Sequence, residues 1–202
     1  VLTIFLATLF GWDVLQPVHL LWINLVTDTF PAIALGVEPA EPGVMSHKPR
    51  GRKSSFFSGG VMSSIIYQGV LQGALVLVVY GYAISNPVHV GDIKAIHADA
   101  LTMAFATLGL IQLFHAYNVK SVYQSIFIVG PFKSKTFNWS ILVSFILLIS
   151  TIVIDPLEKI FHVTKLDLSQ WTVVLIGSFA MIVIVEIVKF IQRKLGMDKN
   201  AI

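Results

Sequence analysis

Asn24, Thr27, Asp28 and Pro31 lie within the otherwise apolar run from Leu20 to Gly36. A carboxylate at mid-bilayer depth costs roughly 2.5–3.5 kcal/mol on insertion scales, so its presence there asks for a reason. On an α-helix, Asn24 and Asp28 are four residues apart with Thr27 between them, which puts all three on one face. Pro31 has no N–H, so the carbonyl of Thr27 loses its helical partner. The sum is an amide oxygen, a hydroxyl, a freed carbonyl and a carboxylate. Hard cations such as Ca²⁺ take such ligands, and transporters place ion sites at helix breaks near the membrane midplane. The alternative is a kinked span whose polar groups bond only to neighbouring helices, with Asp28 protonated. Intramembrane carboxylates default to function, which weighs toward the ion site.

The elements that must hold these residues are membrane helices. Of 202 residues, 55% are hydrophobic and 12% charged. That composition excludes a soluble domain and predicts an all-α membrane protein, a polytopic helical bundle. There is no cysteine, hence no disulfide framework and no thiolate metal site. The net charge of +3 does not point to nucleic acid, because the basic residues sit at predicted helix ends.

Polar and proline-rich stretches divide the chain into the end of one helix, 1–12, and five complete spans, 17–36, 60–85, 99–118, 138–154 and 170–191. Val1 opens inside an apolar run without an initiator Met or a charged n-region. That is no signal peptide, and it predicts a fragment cut within a helix. Eleven of the fourteen basic side chains fall in 37–59, in 119–137 or at the C-terminal end; Lys94, Lys159 and Lys165 lie in the alternate loops. The positive-inside rule then makes 37–59, 119–137 and the C-terminus cytoplasmic.

At this point a resemblance carries the reading further. Pro17-Val-His-Leu-Leu-Trp-Ile-Asn-Leu-Val-Thr-Asp-Thr-Phe-Pro-Ala, followed by Leu35-Gly-Val-Glu-Pro, resembles the sixth transmembrane helix of type II P-type cation ATPases. Its Asn-Leu-Val-Thr-Asp core is most similar to the calcium pumps. The likeness covers the chain to its C-terminus, more weakly after 37–59. It implies the C-terminal transmembrane domain of such a pump: the end of the fifth helix, then helices six to ten. In that family the equivalents of Asn24, Thr27 and Asp28 coordinate the transported ion, here Ca²⁺. ATP and Mg²⁺ act through domains outside this chain. The implied partners are the lipid bilayer and the N-terminal helices and cytoplasmic domains of the same pump, in the plasma membrane of a bacterium. The implied mechanism is primary active export with proton uptake at Asp28 in exchange, and 37–59 touches the phosphorylation domain.

Leu110-Ile-Gln-Leu-Phe-His-Ala-Tyr-Asn aligns with the eighth helix of calcium pumps. Where Gln112 stands, two-site pumps of the muscle type carry a carboxylate. A glutamine offers a carbonyl oxygen without charge, so Gln112 is a candidate ligand or a helix–helix hydrogen bond, and the departure favours one ion per cycle. His115 reads as a packing residue. Gly69 and Gly73 form a small-xxx-small pattern that in the family packs the seventh helix on the fifth. Gln68 and Gln72 read as inter-helix hydrogen bonds. Glu186 and Lys189 read as a local ion pair with a snorkelling lysine, and Trp139 and Trp171 as interfacial anchors.

Several pump parts are missing from the sequence. No Asp-Lys-Thr-Gly phosphorylation motif, nucleotide-binding sequence or Pro-Glu-Gly-Leu segment occurs. One carboxylate does not balance a divalent ion in a low-dielectric site. The chain alone should neither hydrolyse ATP nor bind calcium tightly. The competing readings are a pump for Mn²⁺, Na⁺ or K⁺, and a stand-alone secondary transporter; the latter would need internal repeats that are not seen.

Overall fold

The computed structural model describes residues 2–38, 57, 60–89, 91–122 and 124–196. The first helix, α1 (Leu2–Leu9), leads to Pro17, whose missing N–H suits it to open a helix. α2 (Pro17–Ile23), a π-helical turn over Asn24–Asp28 and α3 (Thr29–Gly36) form one rod of 20 residues. α4 (Val61–Ser85) starts after Gly60, which holds φ at +79°. α5 (Ile93–Asn118) starts ahead of the expected 99, because the Asp92 carboxylate accepts from the N–H groups of Lys94 and Ala95. Short α6 (Ile126–Val129), then α7 (Lys135–Val153), short α8 (Asp155–Phe161) and α9 (Leu168–Lys194) complete the order. Reciprocal side-chain bonds between Asp167 and Gln170 cap α9.

The chain is an all-α polytopic bundle, with no strand among the described residues. The α2–α3 rod, α4, α5, α7 and α9 are each long and apolar enough to cross a membrane. α5 is the central post. Every residue from Asp99 to Ile111 is buried, so this helix packs on all sides, chiefly against α4 and α9 and also against α7 and the π turn. The outer helices turn Val78, Phe145, Ile176 and Ile187 outward, a surface suited to hydrocarbon.

Two glycines permit close contacts between helices. A Cβ on Gly109 would lie 2.6 Å from a Leu148 methyl, and one on Gly177 would lie 2.7 Å from a Val79 methyl. These contacts tie α5 to α7 and α9 to α4. Of the predicted glycine pair, Gly73 meets Thr3 of α1, where a Cβ would sit 3.3 Å from the hydroxyl; Gly69 has open space beside it.

At one end of the bundle, Lys120 pairs with Glu38 at 2.7 Å and stands 4.1 Å over the Phe137 ring. Lys189 is 1% exposed, so it does not snorkel. It donates instead to the carbonyls of Asn118 and Gln124, while Glu186 accepts from the N–H of Ile126. A buried ammonium thus terminates α5, where unpaired carbonyls need donors. Apart from Val37, Glu38 and Phe57, the predicted coupling loop 37–59 lies outside the described residues, as does Lys199.

Candidate ion site at the helix break

The residues Asn24 to Asp28 occupy a turn wider than an α-helical one. Pro31 withholds an N–H from the next turn, and three hydroxyls compensate within the break. Thr27 Oγ1 lies 2.8 Å from the Ile23 carbonyl, Thr29 donates to the Asn24 carbonyl at 2.8 Å, and Ser144 of α7 donates to the Val26 carbonyl at 2.7 Å. Unpaired carbonyls inside a bilayer are costly, so hydroxyls are what make the open turn tolerable.

The wider turn separates what an α-helix would stack on one face. Thr27 is buried and points at α5, where Gln112 Oε1 is 2.6 Å from its hydroxyl oxygen. Asn24 is exposed and lines a cavity of about 330 Å³. Gln112, Gln72, Thr3 and Leu108 face the same space, which brings α1, α2, α4 and α5 to one polar opening. Asp28 is exposed, does not line that cavity and accepts no hydrogen bond among the described residues. Of the four predicted residues, the structure therefore joins Thr27 to Gln112 directly and Asn24 to Gln112 through the cavity. Asp28 stands apart on the adjoining surface.

Thr27 has one proton and two acceptors within reach, Ile23 O and Gln112 Oε1. The one proton serves one acceptor at a time, and the 2.6 Å contact is a hydrogen bond when the hydroxyl donates to Gln112 Oε1. The donor set is then neutral oxygen plus the one carboxylate of Asp28. Among the described residues no three His, Cys, Asp or Glu side chains stand close enough together to hold a metal ion.

Sequence reasoning missed three supports of this site. His19 is fully buried; it accepts from the Gln16 N–H at Nδ1, donates from Nε2 to the Phe161 carbonyl at 2.6 Å and stacks on Phe105. It fixes the start of α2 to α8, and the signal lay in a histidine two residues after Pro17 where a helix opens. Ser144 carried no sequence signal, being one of three serines in an apolar span. Gln72, read as an inter-helix bond, lines the cavity, and Gln68 bonds to its neighbour Tyr67.

Among the described residues the bundle has five apolar membrane-length helices, one of them broken at a run of oxygen donors, and this defines an integral multi-pass membrane protein. Residues 13–191 match the family described as cation transporting ATPase, C-terminus, and the chain belongs to that family. It is 40% identical to calcium-transporting ATPase 1 of Bacillus cereus over 96% of this chain and 23% of that protein. It is 34% identical to a calcium-transporting ATPase of Listeria monocytogenes over 96% of this chain and 21% of the relative. With the endoplasmic reticulum-type calcium-transporting ATPase 3 of Arabidopsis thaliana it shares 31% over 98% of this chain and 22% of that one. The chain thus spans about a fifth to a quarter of the length of these relatives.

Proposed function

We propose that this chain is the membrane part of an ATP-driven calcium pump, in which it forms one side of the Ca²⁺ site and passes the ion across the bilayer. The π turn that sets Thr27 against Gln112, and carries on its adjoining surface an Asp28 with no hydrogen bond among the described residues, supports this reading. Asn24, Thr27 and Asp28 bind Ca²⁺, and Gln112 adds a neutral oxygen from α5. One carboxylate leaves a divalent charge unbalanced, so further anionic ligands come from helices of the same pump outside this chain. The low charge favours one ion per cycle.

ATP and Mg²⁺ act through the phosphorylation machinery, to which 37–59 couples the broken helix. Phosphorylation rearranges the helices, the ion leaves on the far side, and Asp28 takes up a proton in exchange. The membrane is the bacterial plasma membrane, with 37–59, 119–137 and the C-terminus cytoplasmic. The names of the similar calcium-transporting ATPases support the choice of ion.

The test is Asp28→Asn in the full-length protein, read by ATP hydrolysis against Ca²⁺ and Mn²⁺ concentration. Loss of calcium activation by about 100-fold or more is expected, since the change removes the charge that holds the ion. Unchanged activation would end the site assignment. Activation of the unaltered protein by Mn²⁺ alone would reassign the ion.

A further inference from the structure

We infer that Ser144 is a positioning residue for the ion site, holding the π turn in the shape that presents Thr27 and Asp28; this rests on the calcium-site reading above. The side chain is fully buried on α7, and its hydroxyl donates to the carbonyl of Val26 at 2.7 Å. Of the three hydroxyls that serve the turn's carbonyls, those of Thr27 and Thr29 belong to the broken helix itself. Ser144 alone of these reaches it from another helix.

The surroundings make that reach rigid. Leu148, one helical turn beyond Ser144, sits over Gly109 so closely that a Cβ there would come within 2.6 Å. Gly109 is one turn from Gln112 on α5, and Gln112 meets Thr27, the residue after Val26. The three elements close a triangle: α7 bears on α5 at Leu148–Gly109, α5 meets the turn at Gln112–Thr27, and α7 meets it at Ser144–Val26. Without the Ser144 hydroxyl, the Val26 carbonyl loses its donor from α7. The broken helix can then recover a partner by tightening toward α-helical register. Tightening would swing Thr27 from Gln112 and change the aim of Asp28 without touching either side chain.

The experiment measures calcium-activated ATP hydrolysis and thermal unfolding of the full-length pump for Ser144→Ala, Ser144→Cys and, as a control for the site itself, Asp28→Asn. For Ser144→Ala, the half-activating Ca²⁺ concentration should rise about 3- to 10-fold, the yield of one buried hydrogen bond, with maximal rate and unfolding temperature near those of the unaltered protein. Ser144→Cys is close in shape, slightly larger, and keeps a weaker donor, so it should shift less. It decides the question in the same way if the alanine variant does not fold. An unchanged calcium dependence with a lower unfolding temperature would make Ser144 a packing residue and overturn the inference. If Asp28→Asn itself leaves calcium activation intact, the site reading fails and this inference falls with it; a shifted Asp28→Asn beside unshifted Ser144 variants overturns the inference alone.

Discussion

Asp99, near the start of α5, is 4% exposed and holds three side-chain partners, whereas Asp28, on the broken helix, is exposed and holds none among the described residues. His89 lies 2.8 Å from Asp99, Thr164 donates at 2.8 Å and Gln170 at 3.1 Å. The groups come from the α4–α5 connection, the segment after α8 and the first turns of α9, so one carboxylate gathers three parts of the chain onto the central post. An ionised carboxylate has room for about four acceptor contacts. At Asp99 that capacity is nearly filled by protein. At Asp28 no described residue fills it, on a helix whose backbone is widened to a π turn. A carboxylate committed to structure thus shows itself by its partners, and under the calcium-site proposal the one that lacks them is the one kept for a ligand.

The largest effect that would break this contrast is on stability. Asp99→Ala strands Thr164, Gln170 and His89 and should destabilise the protein by about 2–4 kcal/mol, seen as a lower unfolding temperature in detergent. Asp28→Ala in the same measurement should change stability by less than about 0.5 kcal/mol, as for a group without partners. Equal losses would mean that Asp28 is also a structural tie.

A smaller effect sharpens the contrast at Gln112, which has both a partner and a view of the cavity. Gln112→Ala should raise the half-activating Ca²⁺ concentration of the full-length protein about fivefold, because it removes an oxygen and frees Thr27 together. If it lowers only the unfolding temperature, Gln112 belongs with Asp99 as a structural group.

The spans and the break were legible because both rest on strong local signals. Long apolar runs interrupted by polar, proline-rich stretches announce membrane helices. A proline three residues after an intramembrane Asp announces a break. The kind of break was not legible: Pro31 predicts a lost bond, but a π turn also needs hydroxyl donors from elsewhere, and Ser144 reaches it across 118 residues of sequence. The same limit hid the partners of Asp99, since Thr164 and Gln170 lie 65 and 71 residues away. It also misassigned Lys189, because a lysine near a predicted membrane surface snorkels by default, and only packing shows that it closes the end of α5. Local spacing identifies groups that could bind; which of them are already taken is a tertiary property.

The smallest effect is a titration of the Asp99 cluster through its most accessible member. The Asp99 carboxylate raises the His89 imidazole above its ordinary pKa of 6.5, first by the hydrogen bond and then by charge, with Asp167 and Asp92 adding to the pull. A cation whose folded pKa is raised contributes its full stabilisation below the unfolded pKa and loses it as pH rises through the folded one. The unfolding temperature should therefore fall as pH is taken upward from about 6.5, within a modest range because the His89 side chain is 57% exposed and its attraction is screened. His89→Gln, which has no ionisation in that window, should flatten the curve while leaving the Thr164 and Gln170 bonds to Asp99 in place. An equally steep curve in the variant would put the titration elsewhere, and Asp99 would then rest on its two neutral donors alone.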